Sequence, residues 1–238
     1  MLRTKSHKSV LWTANRGLLY LFTCVVMLLI LPVLAADKEK DEETLRNANL
    51  VLQDMLNSKD ISPHALSNAK GVLILPIVKK VSFGVGGSGG RGPLLCRSGE
   101  HYTGKWSTPA MYSVGGASIG LQAGGSATDF VLLLMNQKVV EQILNGKTKM
   151  GTDATAAAGP GATAASASDA DILTYGRAKG VFAGVSLGGQ SVEPDNDANH
   201  RLYGKTLTST DIVRGNEVKP TTEGEALVKV LDSKLKGK

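Results

Sequence analysis

Aromatic residues make up only 5% of this 238-residue chain. That scarcity leaves little for the base-stacking platforms of single-strand nucleic-acid binders. It also argues against an outer-membrane barrel, which carries aromatic girdles at both interfaces: the chain has 2 Trp, 5 Tyr and 4 Phe, and Trp12, Tyr20 and Phe22 fall near its N-terminus. Cysteine is limited to Cys24 and Cys96, too few for a disulfide scaffold. No His, Cys, Asp or Glu cluster has metal-ligand spacing, so no metal and no other cofactor is expected. Glu193, Asp195 and Asp197 lack the glycine and terminal glutamate of a calcium loop and read as a solvated acidic loop. What the chain has in excess is glycine, 28 residues where average usage gives roughly 17.

The net charge of +6 is unevenly placed. Arg3, Lys5, Lys8 and Arg16 precede an almost wholly apolar run from Leu18 to Leu34, which exits through Ala35-Ala36-Asp37. A basic start, an apolar stretch and small residues at the exit describe a secretory signal over residues 1–36. An uncleaved anchor over residues 18–34 is the alternative, at the short end of what spans a bilayer. Either way the product is exported, periplasmic or envelope-associated. Residues 37–238 then hold 23 basic and 21 acidic residues, a net of +2. The basic character is mostly targeting, and no nucleic-acid partner is expected.

Apolar positions at helical spacing (Leu45, Ala48, Leu52, Met55 or Leu56) predict an amphipathic helix capped by Thr44 or an earlier acid. A short helix follows from about Ser62 to Ala69, with Pro63 at its first position. From Gly71 the pattern turns strand-like: Val72–Leu75, Ile77-Val78, Val81–Gly87, Leu94–Arg97, Tyr102–Trp106, Met111–Val114, Ala117–Ala123 and Asp129–Met135, separated by Gly-rich turns. Asn136 caps a helix through Val139, Val140, Ile143 and Leu144 that Gly146 closes. An alanine-rich stretch, Gly151–Ala170, suits a linker or a tightly packed sheet. Short and final helices are predicted at Ser209–Arg214 and from a Thr222-x-x-Glu225 capping box, the latter with Leu227, Val230, Leu231 and Leu235 as its apolar stripe.

The tetrapeptide Ala69-Lys70-Gly71-Val72 recurs as Ala178-Lys179-Gly180-Val181, and Gly120, Gly124 and Gly125 match Gly184, Gly188 and Gly189 in spacing. Glycines four apart on a strand share one face, where another backbone can approach closely or a sheet can bend. Gly84-x-Gly86-x-x-Gly89 satisfies a dinucleotide fingerprint literally, yet Gly90-Arg91-Gly92-Pro93 follows it instead of a helix. Gly146-Lys147-Thr148 and Gly204-Lys205-Thr206 lack the upstream glycine of a phosphate loop. Cys96 and His101 form a nucleophile and base only if a turn at Ser98-Gly99 joins them. Lys79, Lys80, Arg91, Arg97 and Lys105, with Trp106 as interfacial anchor, suit an anionic headgroup if they share a face.

The runs Ala69-Lys70-Gly71-Val72-Leu73-Ile74-Leu75-Pro76, Gly84-Val85-Gly86-Gly87 and Gly104-Lys105-Trp106-Ser107-Thr108-Pro109-Ala110 resemble the signature of the SYLF domain family. So do Gly120-Leu121-Gln122-Ala123-Gly124 with Asp129, Gly159-Pro160, Tyr175-Gly176-Arg177-Ala178-Lys179-Gly180-Val181-Phe182-Ala183-Gly184, and Tyr203-Gly204-Lys205. The resemblance spans roughly residues 45–215 and implies a non-enzymatic phospholipid-binding module. It further implies phosphoinositide ligands, and in some cases actin, for eukaryotic members, whose N-terminal helix carries much of the lipid contact. Here residues 37–60 hold four basic and seven acidic side chains, a net of −3, which departs from that pattern. The chain resembles an exported bacterial member.

The expectation is an α+β fold: residues 37–238 as a single domain, with a strongly curved antiparallel sheet or partial β-barrel and amphipathic helices packed on it. The expected function is lipid binding in the cell envelope through Lys79, Lys80, Arg91, Arg97, Lys105 and Trp106, with no catalytic residue. The alternative is a structural envelope protein that binds a protein partner through its Gly-rich face or terminal helices.

Overall fold

The computed structural model describes residues 36–151, 156–158, 170–178, 180–182, 187–215 and 217–235. The apolar run 18–34, most of the alanine-rich stretch and residues 183–186 lie outside them. The chain divides into two compact units, Met1–Lys40 and Asp41–Lys238. Residues 36–40 of the first are helical, with Lys40 Nζ 3.0 Å from Asp37 Oδ1. The second unit carries the sheet and its two cores.

Helix α1 runs over residues 36–57, so the charged lead-in is itself helical and Thr44 lies inside the helix, not at its cap. Leu45, Ala48, Leu52 and Met55 are fully buried, as their spacing predicts. Truncating one of the leucines to Ala would cost about 2–5 kcal/mol. Helix α2 is Pro63–Asn68, and its cap Ser62 accepts the Ala65 N–H.

Strand β1, Gly71–Cys96, and strand β2, Ala110–Leu134, form one antiparallel ribbon. Here the expectation of several short strands fails. The glycines do not turn the chain; they stay extended and let two very long strands bend. Straight, β1 would reach roughly 85 Å at about 3.3 Å per residue. Instead it folds back along itself, because Arg97 N–H donates to Lys70 C=O at 2.9 Å. Gly92 lies so close to Ile74 that an added Cβ would sit 1.8 Å from its carbonyl oxygen, and one at Gly90 would sit 2.8 Å from Val78. The fingerprint glycines 84, 86 and 89 fall inside β1, and no helix follows them. Tyr102–Trp106 is a turn with a single bridge, Arg97 to Trp106.

Helix α3 is Gln137–Leu144, where Asn136 Oδ1 accepts the Val139 N–H at 2.9 Å. Four short strands and one of seven residues complete the sheet: β3 Thr148–Lys149, β4 Ala156–Ala158, β5 Ile172–Ala178, β6 Val181–Phe182 and β7 Ser191–Pro194. Central β2 pairs β1 along its length, β7 at residues 112–115 and β5 at residues 129–134. Among the described residues the result is a curled half-barrel of seven strands. Its pairing is antiparallel except for β4 on β5. The repeated tetrapeptide serves two different ends. Gly71 is a strand residue hemmed in by Leu134 and Cys96, whereas Gly180, at φ 78°, sits where the chain reverses from β5 into β6.

Helix α4, Asn196–Tyr203, replaces the expected acidic loop: Asp195 caps it by accepting the Ala198 N–H at 3.0 Å. Buried Asn199 docks it to β2, bonding both the N–H and the C=O of Met111. Helix α5 is Ser209–Arg214. Helix α6 is Thr222–Leu235, capped one residue earlier than its sequence suggests, since Gly224 N–H donates to Thr221 Oγ1 at 3.2 Å. Val72, Leu73, Ile74 and Leu75 are all buried because the sheet is covered on both faces. Leu73 and Leu75 meet α3 and α5 on one face, and Val72 and Ile74 meet α1, α2, α4 and α6 on the other.

Candidate functional site

Between the segments of β2 that pair β7 and β5, residues 116–128 pair only with β1 among the described residues. Among the described residues this middle of the ribbon is an arm two strands wide. Lys79 and Lys80 pair with Ala127 and Ser126 and are exposed, as are Ile77 at 47% and Val81 at 52%. Their neighbours on the arm, Gly86 to Gly90, Gly115 to Ala117 and Gly125 to Ala127, are Gly, Ser and Ala alone. No ion pair engages Lys79 or Lys80 among the described residues.

The structure separates the other four expected lipid-contacting residues from this pair. Arg91 lies at the foot of the arm in an internal cluster: its Nη2 is 2.8 Å from Asp41 Oδ1 and its Nε is 2.6 Å from Asp195 Oδ2. Arg201 Nε is 2.6 Å from the second oxygen of Asp41, a fully buried carboxylate. Trp106 is not an interfacial anchor but a core residue, 5% exposed, with the Arg97 guanidinium 5.6 Å from its ring centroid. Arg97 also donates to the Ser67 and Gly104 carbonyls. Lys105 is exposed, but on the turn that closes the ribbon, roughly 25–30 Å of strand from Lys79. Strand order decided these positions, and the spacing of the basic residues carried no information about it.

Asp54 and Asp60, at and beyond the end of α1, ion-pair with Arg177 of β5. Together with Asp41 they pin the helix at both ends, with its apolar face against the core. That face is closed to solvent, and residues 37–60 around it are net acidic.

The nucleophile reading fails on geometry. Cys96 is fully buried, and burial pushes its thiol far above the ordinary range, so it does not ionise. His101 instead lines a separate cleft of about 580 Å³ with Arg97, Glu141 and Arg214. There the Tyr102 hydroxyl donates to Glu141 at 2.9 Å and accepts from Arg214, and burial raises its pKa to about 12. Arg214 is also bridged to Glu141, so the charges of the cleft are largely spent on each other.

A family model described as "Las17-binding protein actin regulator", Ysc84, matches residues 115–234, half of the sequence, from β2 to α6. The chain belongs to the Ysc84 family, whose domain is the SYLF domain. An SH3 domain-containing protein of Schizosaccharomyces pombe is 33% identical over 183 residues, covering 74% of this chain and 41% of its own. Protein YSC84 of Saccharomyces cerevisiae is 32% identical over 182 residues, 73% of this chain and 38% of its own. Human SH3 domain-containing YSC84-like protein 1 is 30% identical over 206 residues, 84% and 59%. The chain spans 59% or less of the length of each of these relatives. The Ysc84 match begins in β2, so Lys79 and Lys80 of β1 lie outside it.

Proposed function

We propose that this Ysc84 domain is a non-enzymatic module that adheres to an anionic phospholipid surface of the cell envelope through Lys79 and Lys80. One observation supports the reading above the others: two exposed lysines flanked by exposed Ile77 and Val81, on an arm whose residues 86–90, 115–117 and 125–127 are Gly, Ser and Ala. Two lysines near an anionic leaflet contribute about 2 kcal/mol, a reversible adhesion that weakens as salt shortens the screening length. An export segment over residues 1–36, cleaved or retained as an anchor, would bring the domain to such a surface.

The test is co-sedimentation of the full chain with vesicles of phosphatidylcholine alone and of phosphatidylcholine with phosphatidylglycerol. The apolar N-terminal run contributes to both, so the difference isolates the headgroup. Extra binding to the phosphatidylglycerol vesicles is expected at low salt, and high salt or the double variant Lys79→Gln/Lys80→Gln should remove it. No such excess in the wild-type chain would sink the reading. A protein partner is the second reading, favoured by the family's description as a Las17-binding protein. A pull-down that recovers one stoichiometric protein from the envelope, while vesicles recover nothing, would select it.

A further inference from the structure

Between the pairs Leu75 with Phe130 and Val78 with Thr128, β1 carries one residue more than β2. That one-residue bulge turns on Ile77, whose φ is 55°. A β-branched residue in the left-handed region is a genuine outlier, and such strain persists only where its surroundings enforce it. Two neighbours enforce it here. Pro76 restricts the backbone before it, and the Ile77 N–H donates to the Asp129 carboxylate at 2.9 Å across the ribbon. The outcome is an aliphatic side chain 47% exposed, beside a shallow notch lined by Thr44, Asn47, Pro76 and Gly89. Ile77 is therefore unfavourable twice over, in backbone and in solvation. Asn or Gly at this position would relieve both.

We infer that Ile77, with Val81, is the apolar part of the membrane contact: the bulge holds it outward to enter the acyl boundary of a bilayer while Lys79 and Lys80 meet the headgroup phosphates. This rests on the lipid-surface reading above and deepens it. By the two-residue period of the strand Lys79 and Val81 face one side and Lys80 the other, so the two lysines straddle the ridge. The acidic groups beside this ridge are engaged: the Asp129 carboxylate by the Ile77 N–H, and Asp41 and Asp195 at its foot by Arg91 and Arg201. A bilayer suits the ridge better than a protein does. The residues around the four that protrude, 86–90, 115–117 and 125–127, are Gly, Ser and Ala and offer a protein partner few side chains to grip. A fluid lipid surface conforms to a ridge of any width and takes shallow apolar side chains to a depth of about 5–10 Å.

The experiment uses the full chain with Cys24→Ser, single cysteines at position 77, 81 or 50, and an environment-sensitive fluorophore on each. Cys96 is buried and stays unlabelled. Leu50, 63% exposed on α1, is the control. On phosphatidylglycerol-containing vesicles, labels at 77 and 81 should shift to the blue and be quenched by acyl-chain spin labels, while the label at 50 stays in water. In the unlabelled chain, Ile77→Asn should raise the thermal midpoint and lower phosphatidylglycerol-dependent binding about fivefold. If the labels at 77 and 81 stay in water while Lys79→Gln/Lys80→Gln abolishes binding, adhesion stands and insertion is overturned. A lower thermal midpoint for Ile77→Asn makes the side chain structural and also overturns it. Absence of any phosphatidylglycerol-dependent binding by the wild-type chain removes both readings together.

Discussion

At its closed end the β1–β2 ribbon buries Leu73, Ile74, Leu94 and Met111 completely, while in its arm the same two strands hold Ile77, Lys79, Lys80 and Val81 out to water. Both regions are rich in glycine, and glycine does a different job in each. At the closed end it lets backbone meet backbone, as where Gly92 lies against Ile74. In the arm a Cβ at Gly87 or Gly89 would touch nothing nearer than 3.9 Å or 3.8 Å. There the absent side chains clear the ground around four that protrude. One compositional bias thus builds a core closure and an exposed ridge, and a substitution scan can separate them.

The largest effect should come from the closure itself. Gly92→Ala places a methyl 1.8 Å from the Ile74 carbonyl oxygen, a clash that only backbone movement relieves. A loss of about 3 kcal/mol or more is expected in chemical denaturation, or no folded protein. Gly87→Ala should stay within about 0.5 kcal/mol of wild type. Equal losses at the two positions would erase the distinction between closure and ridge. Next in size is the charge contrast. Arg91→Met removes one of the two arginines that hold the buried Asp41 and should cost about 2–3 kcal/mol, because a desolvated carboxylate is left short of a partner. Lys80→Met on the arm should leave stability nearly unchanged. Its effect belongs to vesicle binding.

Most of the helices could be read from the sequence because each announces itself locally. Leu45, Ala48, Leu52 and Met55 recur at helical spacing, and Ser62-Pro63 and Asn136 are caps with their own chemistry. The α4 helix was hidden because Asp195, its cap, sits among acids that look like a solvated loop, and nothing local says that one of them neutralises Arg91 more than 100 residues away. Strands fared worse for a related reason. Glycine in a sequence signals a turn, but in β1 and β2 it marks where the ribbon bends or passes over itself, and that is a long-range fact. The candidate site was half legible. Lys79-Lys80 beside an apolar run could be picked out, whereas Arg91, Arg97 and Trp106 could not be told from surface residues until strand order placed them inward. Ile77 gave no signal beyond the proline before it, since its meaning lies in a backbone angle and an Asp129 acceptor 52 residues on.

The smallest effect separates the two regions by pH. The turn at the closed end carries Tyr102, whose phenol is raised from its ordinary 10.0 to about 12, mainly by burial. An acid whose folded pKa lies above its unfolded one holds its proton more tightly in the native state. Its contribution is whole below pH 10 and is lost as pH climbs through about 12. Burial raises Tyr112, Tyr175 and Tyr203 in the same direction, so the wild-type chain should lose stability steadily across this window. Tyr102→Phe removes one share of that loss. At pH 7 it should cost about 1 kcal/mol, for the hydrogen bond to Glu141, and the gap to wild type should narrow between pH 10 and 12. Ile77→Asn changes no titrating group, so its offset from wild type in the same denaturation series should stay constant with pH. A Tyr102→Phe offset that stays just as constant would mean that the phenol titrates no differently in the folded and unfolded chain, and that the closed end does not desolvate it.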